Sequence, residues 1–315
     1  MGSFASEPAL RGHGKGLKQG TWTIVALAIG PLILSYGIFL IFPMIYAFVM
    51  SFTNWNPVSM RTPLRAVGVA NYSELLFKDP LFWTSLKNTI YYAALRVPAG
   101  LVISMVLATL INSLRRLKGF YRSIYYLPVL TSTVAAAIMW NWIYQPRFGL
   151  LNSVLASLIG SLGLQVSGMP RYLMDAKMAM PSIAVMSLWK GIGYDIVIFL
   201  AGLQGIPSSM YDAAKVDGAT GLQAFWHVTV PLLRPTIAFI AITGVIGSLQ
   251  VFTEMYIMTQ GGPVNSTRTI VYMLFDQAFV NSRFGYASAI SFVLFAVIMA
   301  ITLLQRRVLA TEWAY

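Results

Sequence analysis

The sequence predicts an all-α integral membrane protein with six transmembrane helices. Three observations carry that expectation. Of 315 residues, 57% are hydrophobic and only 10% are charged, against roughly 25% charged in a soluble domain. So few charges cannot clothe a water-facing surface. The chain also divides into apolar runs that can cross a ~30 Å hydrocarbon core, a distance of about 20 helical residues. Finally, many of the 22 lysines and arginines gather in short clusters between those runs, where a cationic excess marks the cytoplasmic face. The net charge of +12 therefore reads as membrane orientation. In a soluble protein it would point to nucleic acid; here no nucleic-acid partner is expected.

The first span falls at about 22–52, inside a stretch from Gln19 to Met60 without one charged residue. At 1.5 Å per residue such a helix is about 45 Å long, so it must tilt or bend. Pro31 and Pro43 are the expected bend points. A cleaved signal peptide has an apolar core of only about 7–15 residues, and this run is too long for one. The remaining spans are expected at about 85–112, 122–144, 181–203, 232–257 and 285–305. The uncharged run 148–170 is interrupted by Asn152, Gly160, Gly163, Gln165, Ser167 and Gly168, and reads as an interfacial hairpin within an extracytoplasmic segment 145–180.

Orientation tests the count. Arg11, Lys15 and Lys18 precede the first span; Arg115, Arg116, Lys118 and Arg122 separate the second from the third; Arg306 and Arg307 follow the sixth. Six spans place all three clusters on one side, whereas a seventh at 148–170 would place the last outside. Residues 1–20 thus read as a cytoplasmic tail and 21–310 as one transmembrane domain, with both termini in the cytoplasm. There is no cysteine, and His13 and His227 lie far apart, which excludes disulfides and argues against a histidine metal cluster. No G-x-x-x-x-G-K-[ST] pattern is present to cradle a nucleotide. No catalytic residue and no cofactor of the chain's own is expected.

The loop 206–231 between spans four and five carries the most distinctive pattern. Ser208 or Ser209 is expected to cap a helix after Pro207. The helix runs through Asp212, Ala213, Ala214 and Lys215, and Gly218 stops it by taking φ > 0. A second short helix is expected at about Leu222–His227, and Pro231 in the first turn of span five. The result is a compact knob. Ala213 and Ala214 let another backbone come close; Met210, Tyr211 and Val216 offer apolar contact; Asp212 and Asp217 offer charge. This is a docking element, not a catalytic one.

That segment resembles the EAA loop of binding-protein-dependent ABC importers. The family pattern is Glu-Ala-Ala, three residues, Gly, nine residues, then Ile-x-Leu-Pro. Here Asp212-Ala213-Ala214, Gly218 and Val228-Thr229-Val230-Pro231 match its spacing throughout, with Asp for Glu and Val for Ile and Leu. Leu203-Gln204-Gly205-Ile206-Pro207 leads into the motif as in carbohydrate importers of the family. Thr259-Gln260-Gly261-Gly262-Pro263 is similar to a stretch of the MalF/UgpA-like partner. The likeness covers about 22–307. It implies a MetI/MalF-like type I permease fold and a half-transporter in a bacterial or archaeal cytoplasmic membrane. Its partners would be a second, MalG-like permease, two ATPase subunits that hold ATP and Mg, and an extracytoplasmic binding protein. The cargo would be a sugar, of di- or oligosaccharide size. Coupling to the ATPase would fall to Met210, Tyr211, Asp212, Ala213, Ala214, Lys215, Asp217 and Gly218.

Span four carries Lys190 and Asp195 near its midpoint, where a charge costs roughly 2.5–3.5 kcal/mol on the insertion scale. Each needs a partner or a wet cavity. Arg96 in span two and Glu254 in span five are further candidates, and Lys190 with Glu254 is the preferred pair. By resemblance to the maltose transporter's MalF subunit, sugar-contact positions fall on Ser187, Lys190, Gly191 and Tyr194, and on Gly244, Gly247, Ser248 and Val251. Sugars also need flat apolar faces beside hydroxyl-bonding groups, which Trp189, Tyr194, Gln250 and Phe252 supply. Three other readings stay open. One is the same kind of importer for a polyol or glycerol-3-phosphate. The others are an ion-coupled secondary transporter using Lys190, Asp195 and Glu254 as a relay, and a membrane scaffold without transport.

Overall fold

The computed structural model describes residues 19–58, 63–114, 116–162 and 168–309. Most of the expected tail, with Arg11, Lys15 and Lys18, lies outside the described residues, as do Arg115 and residues 163–167 of the expected hairpin. The chain divides into two compact units, Met1–Met50 and Ser51–Tyr315.

In the first unit, α1 (Gln19–Tyr36) passes through a wide π turn (Gly37–Ile41) into α2 (Phe42–Met50). Pro31 is accommodated inside α1. Pro43 has no N–H, and its ring crowds the carbonyl four residues back. The ladder widens just ahead of it, where the Phe42 N–H reaches the Gly37 carbonyl. From Leu27 to Val49 the side chains are exposed or half-buried, as suits a helix surrounded by lipid.

The second unit opens with α3 (Ala70–Phe77) and the long α4 (Pro80–Ser113). The Asp79 carboxylate caps α4 by accepting from the Leu81 N–H, and Pro80 sits at the first position, where its missing N–H costs nothing. At 34 residues, α4 is about 51 Å long, well beyond a bilayer core. Next come α5 (Lys118–Tyr126), a 3₁₀ turn (Leu127–Leu130) and α6 (Thr133–Ile143). The two halves of the expected third span meet at 96°. Thr131 and Ser132 are extended, so no helical bonds carry across them. The short α7 (Leu150–Ser161) follows, then α8 (Ala179–Gln204), which matches the fourth expected span closely.

The loop after α8 holds α9 (Ser208–Val216), α10 (Gly221–Ala224), a π turn (Phe225–Thr229) and α11 (Val230–Leu232). Neither serine caps α9. The extended Pro207 is its cap residue, with no side-chain bond. Pro231 does not open span five either. It lies inside a helical run that continues from α10, and the chain turns by 66° at Leu233. α12 (Arg234–Leu249) then starts with Pro235 in its first turn. That helix ends short of the expected span, and the backbone is irregular over Gln250–Phe252 before α13 (Thr253–Met258). Finally α14 (Ile270–Phe275), a π turn (Asp276–Val280) and α15 (Phe284–Leu309) complete the chain. Among the described residues four helical segments are long and apolar enough to cross a membrane, or up to six if each bent pair is one span. Among the described residues there is no strand, only an isolated bridge between Thr53 and Ala66.

Packing centres on α8, which lies chiefly against α4 and also touches α12. Near the α9 end, Ala108 and Ile111 of α4 meet Ile196, Phe199, Leu200 and Leu203 of α8 and Ile240 of α12. Toward the other end, Tyr92, Met180, Ile183, Met186, Val251 and Met255 form a second cluster. Gly193 lets α8 approach the end of α5, since a Cβ there would meet the Tyr125 carbonyl and the Tyr126 backbone. α10 depends on a reciprocal cap, in which the Thr220 hydroxyl accepts from the Gln223 N–H while the Gln223 side chain accepts from the Thr220 N–H. Thr220→Ala is expected to cost that turn about 1 kcal/mol, or about fivefold in its opening equilibrium. Hydrogen exchange of the 221–224 amides in detergent measures it.

Candidate functional site

One cavity of about 420 Å³ lies between α4, α8, α12 and the start of α13. α4 contributes Tyr92 and Arg96. From α8, the period of the helix brings Ser187, Lys190, Gly191, Tyr194 and Asp195 to the wall. Thr243, Gly244, Gly247 and Ser248 come from α12, and Thr133 from the start of α6. The break in span five adds Gln250, Val251 and Phe252, and α13 adds Thr253 and Glu254. The eight contact positions taken from the resemblance, Ser187, Lys190, Gly191, Tyr194, Gly244, Gly247, Ser248 and Val251, line this one space together with Gln250.

Particulars differ from expectation. Trp189 is not on the wall; it packs on Trp140 with ring centroids 5.7 Å apart. Phe252 does line the cavity, stacked on Tyr256 at 5.3 Å. Lys190 and Glu254 share the cavity but are not joined, since the ion pairs of the described residues lie elsewhere. The irregular turn at Gln250–Phe252 starts a new helix at Thr253, so Glu254 sits in a first turn, beside N–H groups that favour a carboxylate. The glycines also differ among themselves. Gly247 faces open space, whereas Gly191 and Gly244 face the Arg96 guanidinium. Arg96 has so central a place that its absence from the expected contact residues is the main omission. Its signal was present, a lone arginine inside an apolar run.

Chemically the wall offers cationic donors, carboxylate and amide acceptors, hydroxyls and two apolar faces. The Ser248 hydroxyl is buried without a partner, and its neighbourhood is the irregular backbone of span five. Such a mixture suits a hydroxylated guest more than an apolar one.

A second feature is the knob. Gly218 has φ +77°. The Gly218 N–H reaches the Lys215 carbonyl at 3.0 Å, and the Ala219 N–H reaches the Ala214 carbonyl at 2.9 Å, a left-handed glycine stop. Met210, Asp212, Ala213, Lys215, Val216 and Asp217 are exposed, Val216 at 88%. Lys215 and Asp212 pair at 3.1 Å on the surface. Tyr211 departs from the expected outward contact. It is half-buried, and its hydroxyl hydrogen-bonds the Thr229 hydroxyl at 3.1 Å, tying α9 to the following π turn. The knob is therefore held at both ends, by α8 and by the run into α12, two of the helices that wall the cavity.

The model of the family described as binding-protein-dependent transport system inner membrane component matches residues 100–310. The chain belongs to that family. The permease is 34% identical over 89% of its length, and 93% of the other chain, to a Pyrococcus horikoshii protein named a probable ABC transporter permease protein. It is 31% identical to the lactose transport system permease protein LacF of Rhizobium radiobacter, over 89% of its own length and 91% of that protein. Among solved structures it resembles a chain of a bacterial alginate ABC transporter in complex with an alginate pentasaccharide-bound periplasmic protein. There the TM-score is 0.78 and the identity 25%, over 93% of this permease and 97% of that chain. The permease is thus a multi-pass membrane subunit of an ABC transporter.

Proposed function

We propose that the permease passes a neutral di- or oligosaccharide, handed over by an extracytoplasmic binding protein, through the cavity between α4, α8 and α12. In this reading each bent pair is one span, making six, and both termini face the cytoplasm. A second, MalG-like permease completes the pathway. Two ATPase subunits, with their ATP and Mg, dock on the α9–α10 knob. The permease itself contributes no catalysis and holds no cofactor.

One observation supports this most. The knob is inserted between α8 and α12, and those two helices carry most of the cavity wall. A displacement of α9 is therefore applied directly to both sides of the cavity. The exposed Met210 and Val216 give a partner an apolar grip, and Ala213 leaves room for a close approach.

The test is reconstitution of the permease with a second permease, the ATPases and the binding protein in proteoliposomes. Uptake of a neutral oligosaccharide should need ATP and persist without an ion gradient. Uptake driven by a proton or sodium gradient alone would favour the relay reading, and no cargo-stimulated ATP hydrolysis would favour the scaffold. Lys190→Ala is expected to lower oligosaccharide uptake severalfold without reducing the amount of assembled complex, since it removes a donor from the wall; unchanged uptake across several sugars rejects that role. A polyol or glycerol-3-phosphate is the second reading. Arg96 and Lys190 both line the cavity, and a phosphate would seat between them. Uptake of glycerol-3-phosphate in preference to neutral trisaccharides would establish it.

A further inference from the structure

Arg96 stands at the middle of the 34-residue α4, half-buried and on the cavity wall. Two glycines on two other helices face it. A Cβ on Gly191 of α8 would lie 2.6 Å from one terminal nitrogen of its guanidinium. A Cβ on Gly244 of α12 would lie 3.5 Å from the other, with the Val97 methyls at 3.6 Å. The guanidinium therefore lies in a notch cut from both neighbouring helices. At Gly191 the atom in the way is the far end of a flexible side chain, so an alanine there would displace the arginine before it disturbed the backbone. Gly247, one turn along from Gly244, has no such neighbour.

The notch does not serve an ion pair. Asp195 and Glu254 lie near enough to interact with Arg96 through space, yet neither comes within 4.0 Å, because the ion pairs of the described residues are elsewhere. A guanidinium carries five N–H donors in a fixed fork and cannot shed its charge. Deep in a membrane protein those donors need acceptors. Arg96 lines a space whose other walls carry the carboxylates of Asp195 and Glu254.

We propose that Arg96 is a specificity-determining residue of the cavity. Its guanidinium donates to hydroxyl oxygens of the cargo, while Glu254 and Asp195 accept from neighbouring hydroxyls. Gly191 and Gly244, which also line the cavity, seat the arginine. The wall sets two cations, Arg96 and Lys190, against two carboxylates, Asp195 and Glu254, so the arrangement suits a neutral, hydroxyl-rich cargo. The part concerning cargo rests on the oligosaccharide reading above; the seating of Arg96 does not.

The test uses the complete transporter with its binding protein in proteoliposomes. Its probes are radiolabelled neutral pentose and hexose trisaccharides, with digalacturonate as an acidic counterpart. Arg96→Ala should lower the maximal rate of neutral uptake about tenfold. KM, set by delivery from the binding protein, should hold, and Arg96→Lys should recover part of the rate. Gly191→Ala should reproduce the loss, and the double variant should be no slower than Arg96→Ala alone. Losses that multiply in the double variant, a full rate in Arg96→Ala, or a loss confined to digalacturonate would overturn the proposal. If the wild-type transporter takes up none of the neutral probes, the oligosaccharide reading falls. The seating is then read from thermal melting of the complex. Gly191→Ala should shift Tm when Arg96 is present and not in the Arg96→Ala background, and equal shifts in both would overturn it.

Discussion

Replacing Gly218 by proline is expected to abolish cargo-driven ATP hydrolysis and uptake by the assembled transporter, while the amount of permease in the membrane stays unchanged. Gly218 holds φ at +77°, and proline is locked near −65°. Its N–H also bonds the Lys215 carbonyl, a bond proline cannot make. The combined penalty is about 3 kcal/mol or more, which lowers the population of the native stop by more than about a hundredfold. The damage falls on an exposed loop, so the apolar helices should insert as before. Gly218→Asn is the control, since asparagine tolerates the left-handed region, and it should keep most of the activity. If Gly218→Pro transports at the original rate, the knob is not the docking element.

Gly193→Val is expected to have the largest effect on the fold itself. The Cβ alone would enter space held by the Tyr125 carbonyl and the Tyr126 backbone, neither of which can swing aside as a side chain would. α8 must then separate from the end of α5. Overpacking of this kind typically costs about 1–3 kcal/mol and more where backbone is the obstacle. A lower Tm in detergent and faster proteolysis of membranes would report it. Gly247→Ala has open space before its Cβ and should leave Tm unchanged. Equal melting of the two variants would show that the α8–α5 contact does not constrain the bundle.

Straight spans were legible in the sequence and bends were not. The long, predominantly apolar runs placed α4, α8 and α15 to within a few residues, because a helix that crosses lipid needs about 20 such residues in succession. Averaged hydropathy carries no direction, so the turn at Thr131–Ser132 and the one at Leu233 passed unseen. Pro128 and Pro235 stood beside them as available signals. Pro231 drew attention instead, because the motif ends there, although a π turn carries the helix through it. Gly218 was readable, since few residues other than glycine suit a left-handed stop. Lys190 and Glu254 do reach one cavity, without the direct ion pair expected of them. The glycines at 191 and 244 looked like places for cargo, and only the packed structure brings Arg96 against them.

The interruption at Gln250–Phe252 has a consequence for how this chain can change over generations. At this break the main chain keeps partners of its own: the Gln250 and Val251 N–H groups reach the Gly247 and Ser248 carbonyls, and the Phe252 carbonyl accepts from the Tyr256 N–H. Every residue type carries those groups, proline's missing N–H aside. Mutation can therefore exchange the flanking side chains one at a time while the main chain of the break keeps its bonds and its shape.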